Sequence, residues 1–304
     1  MREHLYEVFA AIIIFAITNI FIQGEKYIGL KMQQKVIKPL VIQTKDIVSN
    51  NPMTLGDLPP QNDLQLISYV RHVLLKRPSR RPYDLRRPDN LTSDIADNKK
   101  LNAYLKKMAG GMFVEAYAGD GETRSSTLYL ERHDNWSGLL VEPDPALYTS
   151  LLGKGRRSFS VNANLSLSLM NFTLGRINSL REGNATLPLH TLVRATGMPE
   201  VDFLCLHTGG TELQILKTFP WIDMTVRIVN VNYEKVPGGL SAVKSFLGDH
   251  GFNLINTENH GASFVRGDFV TSQTNATPQQ THALKNSSII VKKRFIHLAG
   301  IPIK

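Results

Sequence analysis

The sequence predicts a doubly wound, mostly parallel α/β sheet. Three observations predict it. From about Leu101 onward, short apolar runs alternate with helix-spaced stretches, as in consecutive strand–helix units. The first run closes in a glycine turn, Gly119-Asp120-Gly121. The second closes in an acid, Glu142. In sheets of this class, a glycine turn after strand one and an acid after strand two face the ligand crevice.

Taken in order, Met112–Ala118 reads as the first strand and Ser125–Arg132 as a helix. Ser137–Val141 is the second strand, followed by helix Pro145–Leu152 and a third strand, Ser158–Ala163. Val201–Leu206 is the fourth strand, with a glycine-rich turn and helix Thr211–Phe219 behind it. Met224–Val231 is the fifth, followed by helix Leu240–His250. Phe252–Asn256 and Ile289–Lys293 complete the set. Right-handed crossovers place any ligand at the C-terminal strand edge. There is no internal repeat.

The chain has 304 residues, 42% of them apolar, which suits one sizeable domain with an appendage and excludes wholesale disorder. Residues 1–23 are expected to hold a short cytoplasmic tail and a membrane anchor. Residues 24–100 are expected as a stalk, a pre-domain helix and a basic linker, 101–296 as the folded domain, and 297–304 as a tail. The anchor rests on the uncharged run Val8–Ile22. As a helix it spans about 22 Å, short of a hydrocarbon core of roughly 30 Å, which Tyr6 and Tyr27 could extend at the interfaces. A cleaved signal peptide and a buried helix are the alternatives, but bulky Ile20, Phe21 and Ile22 make a poor cleavage site.

Orientation signals conflict. Lys26, Lys31, Lys35 and Lys38 follow the segment and only Arg2 precedes it, which favours a cytosolic C-terminal side. The sequons argue for a luminal one. Asn90, Asn135, Asn164, Asn171, Asn184, Asn275 and Asn286 each start N-x-[ST], where composition alone gives about 2.6. A single-pass protein with a luminal, glycosylated domain is the expectation.

Within the pre-domain region, Leu64, Ile67, Val70, Val73 and Leu74 recur at helical spacing. Lys76, Arg77, Arg80, Arg81, Arg86 and Arg87 follow, broken by Pro78, Pro82 and Pro88, and read as a solvated extended linker. The formal charge of +9 could favour anionic lipid or acidic partners. No nucleic-acid motif accompanies it, so no nucleic-acid partner is expected. Cys205 is the single cysteine, which excludes an intrachain disulfide and a cysteine-rich metal site. The nine histidines show no metal spacing. Cys205, Trp136 and Trp221 read as packing residues.

The run from Gly111 to Leu152, GMFVEAYAGDGETRSSTLYLERHDNWSGLLVEPDPALYTSLL, resembles the FkbM-type S-adenosylmethionine-dependent methyltransferase domain. Residues 63–85, 201–221 and 231–255 further resemble its Star-like branch, found in arthropods, and the likeness extends over roughly 63–293. The resemblance implies a Rossmann-like methyltransferase sheet behind a transmembrane helix. It also implies a role in vesicular transport of membrane cargo, such as growth factor precursors, from endoplasmic reticulum to Golgi or endosome.

By the same resemblance, Glu115, Asp120, Gly121 and Glu142 occupy the cofactor-binding positions. Elsewhere the pattern has decayed. Tyr117 stands where the family's first turn has glycine. The family's D-x-E-G-A-E motif reads His207-Thr208-Gly209-Gly210-Thr211-Glu212, without its two leading acids. Asn232 replaces the fifth-strand acid, with Glu234 expected on the same strand face. Methyl transfer needs donor and acceptor held in line and often a base. Losing these groups favours a degenerate site with no bound cofactor and no catalytic residue, in a protein that binds transmembrane or secreted cargo. An active O-methyltransferase with S-adenosylmethionine, His207 serving as base, is the alternative; a domain that only scaffolds contacts at the membrane is a third.

Overall fold

The computed structural model describes residues 61–88, 98–108, 110–168, 185–258 and 261–270. All of them belong to one compact unit, Leu55–Lys304. Its strands are β1 (Met112–Ala116), β2 (Ser137–Val141), β3 (Phe159–Val161), β4 (Ala163–Leu165), β5 (Ala185–Leu187), β6 (Val201–Leu206), β7 (Val226–Asn232), β8 (Phe252–Glu258) and β9 (Gly261–Arg266). Its helices are α1 (Leu64–Tyr69), α2 (Lys99–Leu105), α3 (Leu128–His133), α4 (Pro145–Gly153), α5 (Leu189–Thr196), α6 (Glu212–Thr218) and α7 (Gly239–Asp249). A π-helical turn, Val70–Leu74, extends α1.

Seven strands form one sheet in the order β3-β2-β1-β6-β7-β9-β8, and β4 pairs with β5 in a small parallel sheet of its own. The contacts from β3 through to β7 are parallel. β9 runs antiparallel between β7 and β8. The expected doubly wound, mostly parallel sheet is therefore present.

Central parallel strands are covered on both faces, so they read as near-continuous apolar runs. β1 and β6 are buried at every position. Their alternation still sorts side chains by face: Met112, Val114 and Ala116 join one core cluster with α1 and α5–α7 residues. Phe113, Phe203 and Cys205 join the other, with Leu101, Leu105, Leu130 and Leu151 of α2–α4. Cys205 and Trp136 are core residues, as read from the sequence. Trp221 packs edge-on against Phe219, Phe246 and Phe252 and donates its indole N–H to Leu216 O.

Capping sets several helix starts. Asp144 accepts the Ala146 and Leu147 amide hydrogens, with Pro145 in the first turn of α4. Asp63 caps α1 and Asn98 caps α2 in the same way. Gly197, in the left-handed conformation, closes α5.

The basic Pro-rich segment differs from the solvated linker expected of it. Residues 76–88 lie along the domain as an ordered strap. Lys76 exchanges two backbone hydrogen bonds with Ser160 of β3, at 2.8 and 3.1 Å. Ser79 N–H then donates to Arg156 O, and Asp84 N–H to Lys154 O. The Arg86 and Arg87 amides donate to the Glu122 carboxylate at 3.0 and 2.7 Å. Gly155 permits this approach: a Cβ there would lie 2.3 Å from Pro82 O. The strap thereby covers part of the exposed edge of β3. Proline rules and charge repulsion predicted an extended conformation correctly; they carry no signal for backbone pairing to a distant strand.

The expected anchor Val8–Ile22, the strand Ile289–Lys293 and the sequons at Asn90, Asn171, Asn184, Asn275 and Asn286 lie outside the described residues. Among the described residues, no helix is long and apolar enough to cross a membrane. Asn135 and Asn164 are both exposed.

Candidate functional site at the strand-one switch point

The chain leaves β1 toward β2 and β3, then returns to β6 on the other flank of β1. That reversal is the topological switch point, where open α/β sheets bind their ligands. It brings the turn Tyr117–Gly121 after β1 beside the turn His207–Gly210 after β6, with Glu142 at the end of β2.

The acids here are committed to the fold. Glu115, buried on β1, accepts the Ser126 amide hydrogen at 2.7 Å and the Ser125 and Thr127 hydroxyls at 2.9 and 2.5 Å. It holds the entry to α3. Arg156 continues the network, donating to Gly121 O, Ser125 Oγ and Thr127 Oγ1. Asp120 folds back on its own turn, accepting the Glu122 and Thr123 amides and the Thr123 hydroxyl. Burial pushes its carboxyl up, but those bonds and the Lys154 charge outweigh it and hold it below the ordinary carboxylate range.

Glu142 does lie at the strand-two position. Its Oε2 accepts the Gly119 amide hydrogen at 2.7 Å and its Oε1 the Asp144 amide at 2.8 Å. Burial still raises its carboxyl, against those two bonds. Gly121 adopts φ +76°, yet a Cβ on it would meet Leu151 Cγ at 2.9 Å, so this glycine serves packing on α4. Gly119, at φ +59°, has open space where a Cβ would sit.

Tyr117 adopts φ +61°, a left-handed conformation that costs a non-glycine residue about 1–2 kcal/mol. Backbone strain of this kind clusters at active sites and ligand clamps. Its ring is half-buried against the larger core cluster. Burial, then the charges of Glu142 and Glu212, push the phenol up from its ordinary value.

On the β6 side, Glu212 is fully buried and accepts three consecutive amide hydrogens, from Thr208, Gly209 and Gly210, at 2.6–2.8 Å. It closes the turn as an anion in a nest of amides. Sequence reading marked it only as a surviving motif position; its place two to four residues after those amides was the available clue. His207 Nε2 lies 2.8 Å from Asn230 Oδ1, and Asn230 Nδ2 donates to Ser263 Oγ. Asn230 Oδ1 can only accept, so Nε2 carries a hydrogen. The Cys205 sulfur, 3.6 Å away, is the largest influence on His207; with Asn230 and Glu115 it raises the imidazole above its ordinary value, against burial. Asn230 carried no sequence signal, since a polar residue inside an apolar strand names no partner. Glu234, expected on the strand face, lies beyond the end of β7, exposed, with its amide donated to Asn232 Oδ1.

The fold gathers Glu115, Asp120, Gly121 and Glu142 around the switch point, where each of the three acids accepts main-chain hydrogens. Among the described residues, no group of three or more His, Cys, Asp or Glu could hold a metal ion.

No family model matches the chain, and no curated protein does. Solved structures similar to it include TrmK of M. capricolum in complex with S-adenosyl-homocysteine, at 11% identity, TM-score 0.32, covering 55% of this chain and 66% of that one. Another is a precorrin-6y C5,15-methyltransferase from Geobacter metallireducens, at 12% identity and TM-score 0.31, covering 57% of this chain and 90% of that one. A third is the human methyltransferase 10 domain containing protein, at 14% identity and TM-score 0.32, covering 55% and 80%. Overlap at this level carries no inference about activity.

Proposed function

We propose that this chain is a membrane-anchored protein of the early secretory pathway whose methyltransferase-like luminal domain binds cargo and does not transfer methyl groups. One observation carries the loss of activity: Tyr117, with a half-buried ring, holds a left-handed turn position after β1, where a nucleoside ligand needs bare backbone. The acids that could orient such a ligand already accept main-chain hydrogens. On this reading the turn does not fit S-adenosylmethionine, and no catalytic step is assigned to these residues.

The trafficking role draws on the Star-like resemblance, with transmembrane or secreted proteins such as growth factor precursors as cargo. Residence in endoplasmic reticulum, Golgi or endosome draws on the same source. The sequon excess and the exposure of Asn135 and Asn164 support the luminal placement. The active O-methyltransferase is the competing reading. It draws on the retained Glu115, Asp120, Gly121, Glu142 and Glu212; His207, pushed up to about 10, already holds the proton a base would have to take up.

Proximity labelling from a luminal enzyme fused to the C-terminus tests the role. Enrichment of membrane or secreted cargo is expected; enrichment of cytosolic proteins alone would overturn it.

A further inference from the structure

We infer that the strap and the loop and helix it touches form a docking surface for an acidic polypeptide segment. The surface is continuous through contacts. Arg81 donates to Leu152 O at the end of α4. The amides of Arg86 and Arg87 are pinned to Glu122, two residues before Arg124 in the turn after β1. Arg132 of α3 donates to Pro88 O, beside Arg87. Arg80, Arg81, Arg86, Arg87 and Arg124 are exposed, and Arg132 is partly so.

Two of the nearby acids are neutralised from within. Lys154 Nζ lies 2.6 Å from Glu122, and the Arg156 guanidinium lies 3.1 Å from Glu131. Asp84 is the strap's one acid. A strong positive excess therefore faces outward. Its carriers are arginines, whose planar forks match carboxylates two bonds at a time.

The strap is also preorganised. Three prolines and the hydrogen bonds donated by five main-chain amides, of residues 76, 79, 84, 86 and 87, fix its course. Tyr83 pins its middle, donating to Glu131 Oε1 at 3.0 Å, with the Arg157 guanidinium 5.2 Å over its ring. Little backbone entropy is left for a partner to remove, which favours tight recognition.

A polypeptide fits better than a bilayer. Amphipathic surface helices hold membranes through apolar or aromatic side chains among their cations, and charge-only attraction acts at the anionic cytoplasmic leaflet, opposite to the luminal placement proposed above. Between Arg77 and Pro88 the candidates are Tyr83 and Leu85, both partly buried. The prolines also prevent an amphipathic helix.

The test uses the full-length chain in detergent micelles and a short fluorescein-labelled peptide rich in Glu and Leu, read by anisotropy. Binding is expected at low salt, weakening as ionic strength rises. Charge reversal at Arg80→Glu, Arg86→Glu and Arg87→Glu should weaken it by about tenfold or more. Arg86→Lys with Arg87→Lys keeps the charge and loses the fork; a fall of about threefold is expected with an unchanged melting curve. Phosphatidylserine vesicles form the second arm. Peptide binding that is absent, or indifferent to the reversals, would overturn the inference. So would reversal-sensitive binding to vesicles with none to the peptide.

Discussion

Gly119 donates its amide hydrogen to Glu142 Oε2 at 2.7 Å, tying the turn of strand one to the acid at the end of strand two. The Asp144 amide takes the other oxygen. If Glu142 serves the fold in this way, Glu142→Ala leaves two amides without partners. A loss of about 1–3 kcal/mol is expected by urea unfolding. An unchanged midpoint would instead mark Glu142 as a residue that serves only a ligand.

Tyr117 yields a comparison of two substitutions. Tyr117→Gly relieves the left-handed strain while losing ring packing; Tyr117→Ala loses the packing and keeps the strain. The glycine variant should be the more stable of the two by about 1 kcal/mol. Equal stabilities would show that the position tolerates side chains without cost.

Acid should loosen the turn after β1. For Asp120 and Glu122, burial raises the carboxyl, but hydrogen bonds and Lys154 hold both below their ordinary values. The folded state then binds these protons less readily than the unfolded state. The stability contributed is complete above the unfolded values near pH 4 and lost as pH falls through the lower folded ones. Glu122→Gln should flatten the acid limb of the stability–pH curve below about pH 4.5. A limb of unchanged slope would contradict the assignment.

The Arg156–Glu131 pair is enclosed, its side chains 2% and 0% exposed. Arg156→Met removes the counter-ion of Glu131 and leaves its charge held only by hydrogen bonds from Tyr83, Arg157 N–H and Ser158; it should cost roughly 3–5 kcal/mol, and pairing it with Glu131→Gln should recover part of that loss. Thermal unfolding of the two variants measures the difference. A milder single variant than double variant would contradict this picture.

Luminal placement has a direct readout at the two described sequons. Asn135→Gln and Asn164→Gln should each change the mobility shift produced by peptide-N-glycosidase if both sites carry glycans. Protein insensitive to the enzyme would argue for a cytosolic domain.

Much of the sheet was readable because central strands are long apolar runs: Ser137–Val141 and Val201–Leu206 occur with the predicted bounds. What escaped was short or non-local. Ala185–Leu187 has three residues, too few to show a period. Helix Leu189–Thr196 follows it without a polar cap, its start marked only by Pro188. Gly261–Arg266 gains its strand character from insertion between β7 and β8. At the site, residue types revealed which acids survived. For Glu115 and Glu142 the partners Ser126 and Gly119 lie 11 and 23 residues away, and no local pattern encodes those distances.

Isothermal titration of the full-length chain with S-adenosylmethionine tests the central claim most directly. The account predicts no saturable heat with wild type. Micromolar binding by wild type, abolished by Glu142→Ala in a variant that still folds, would contradict it.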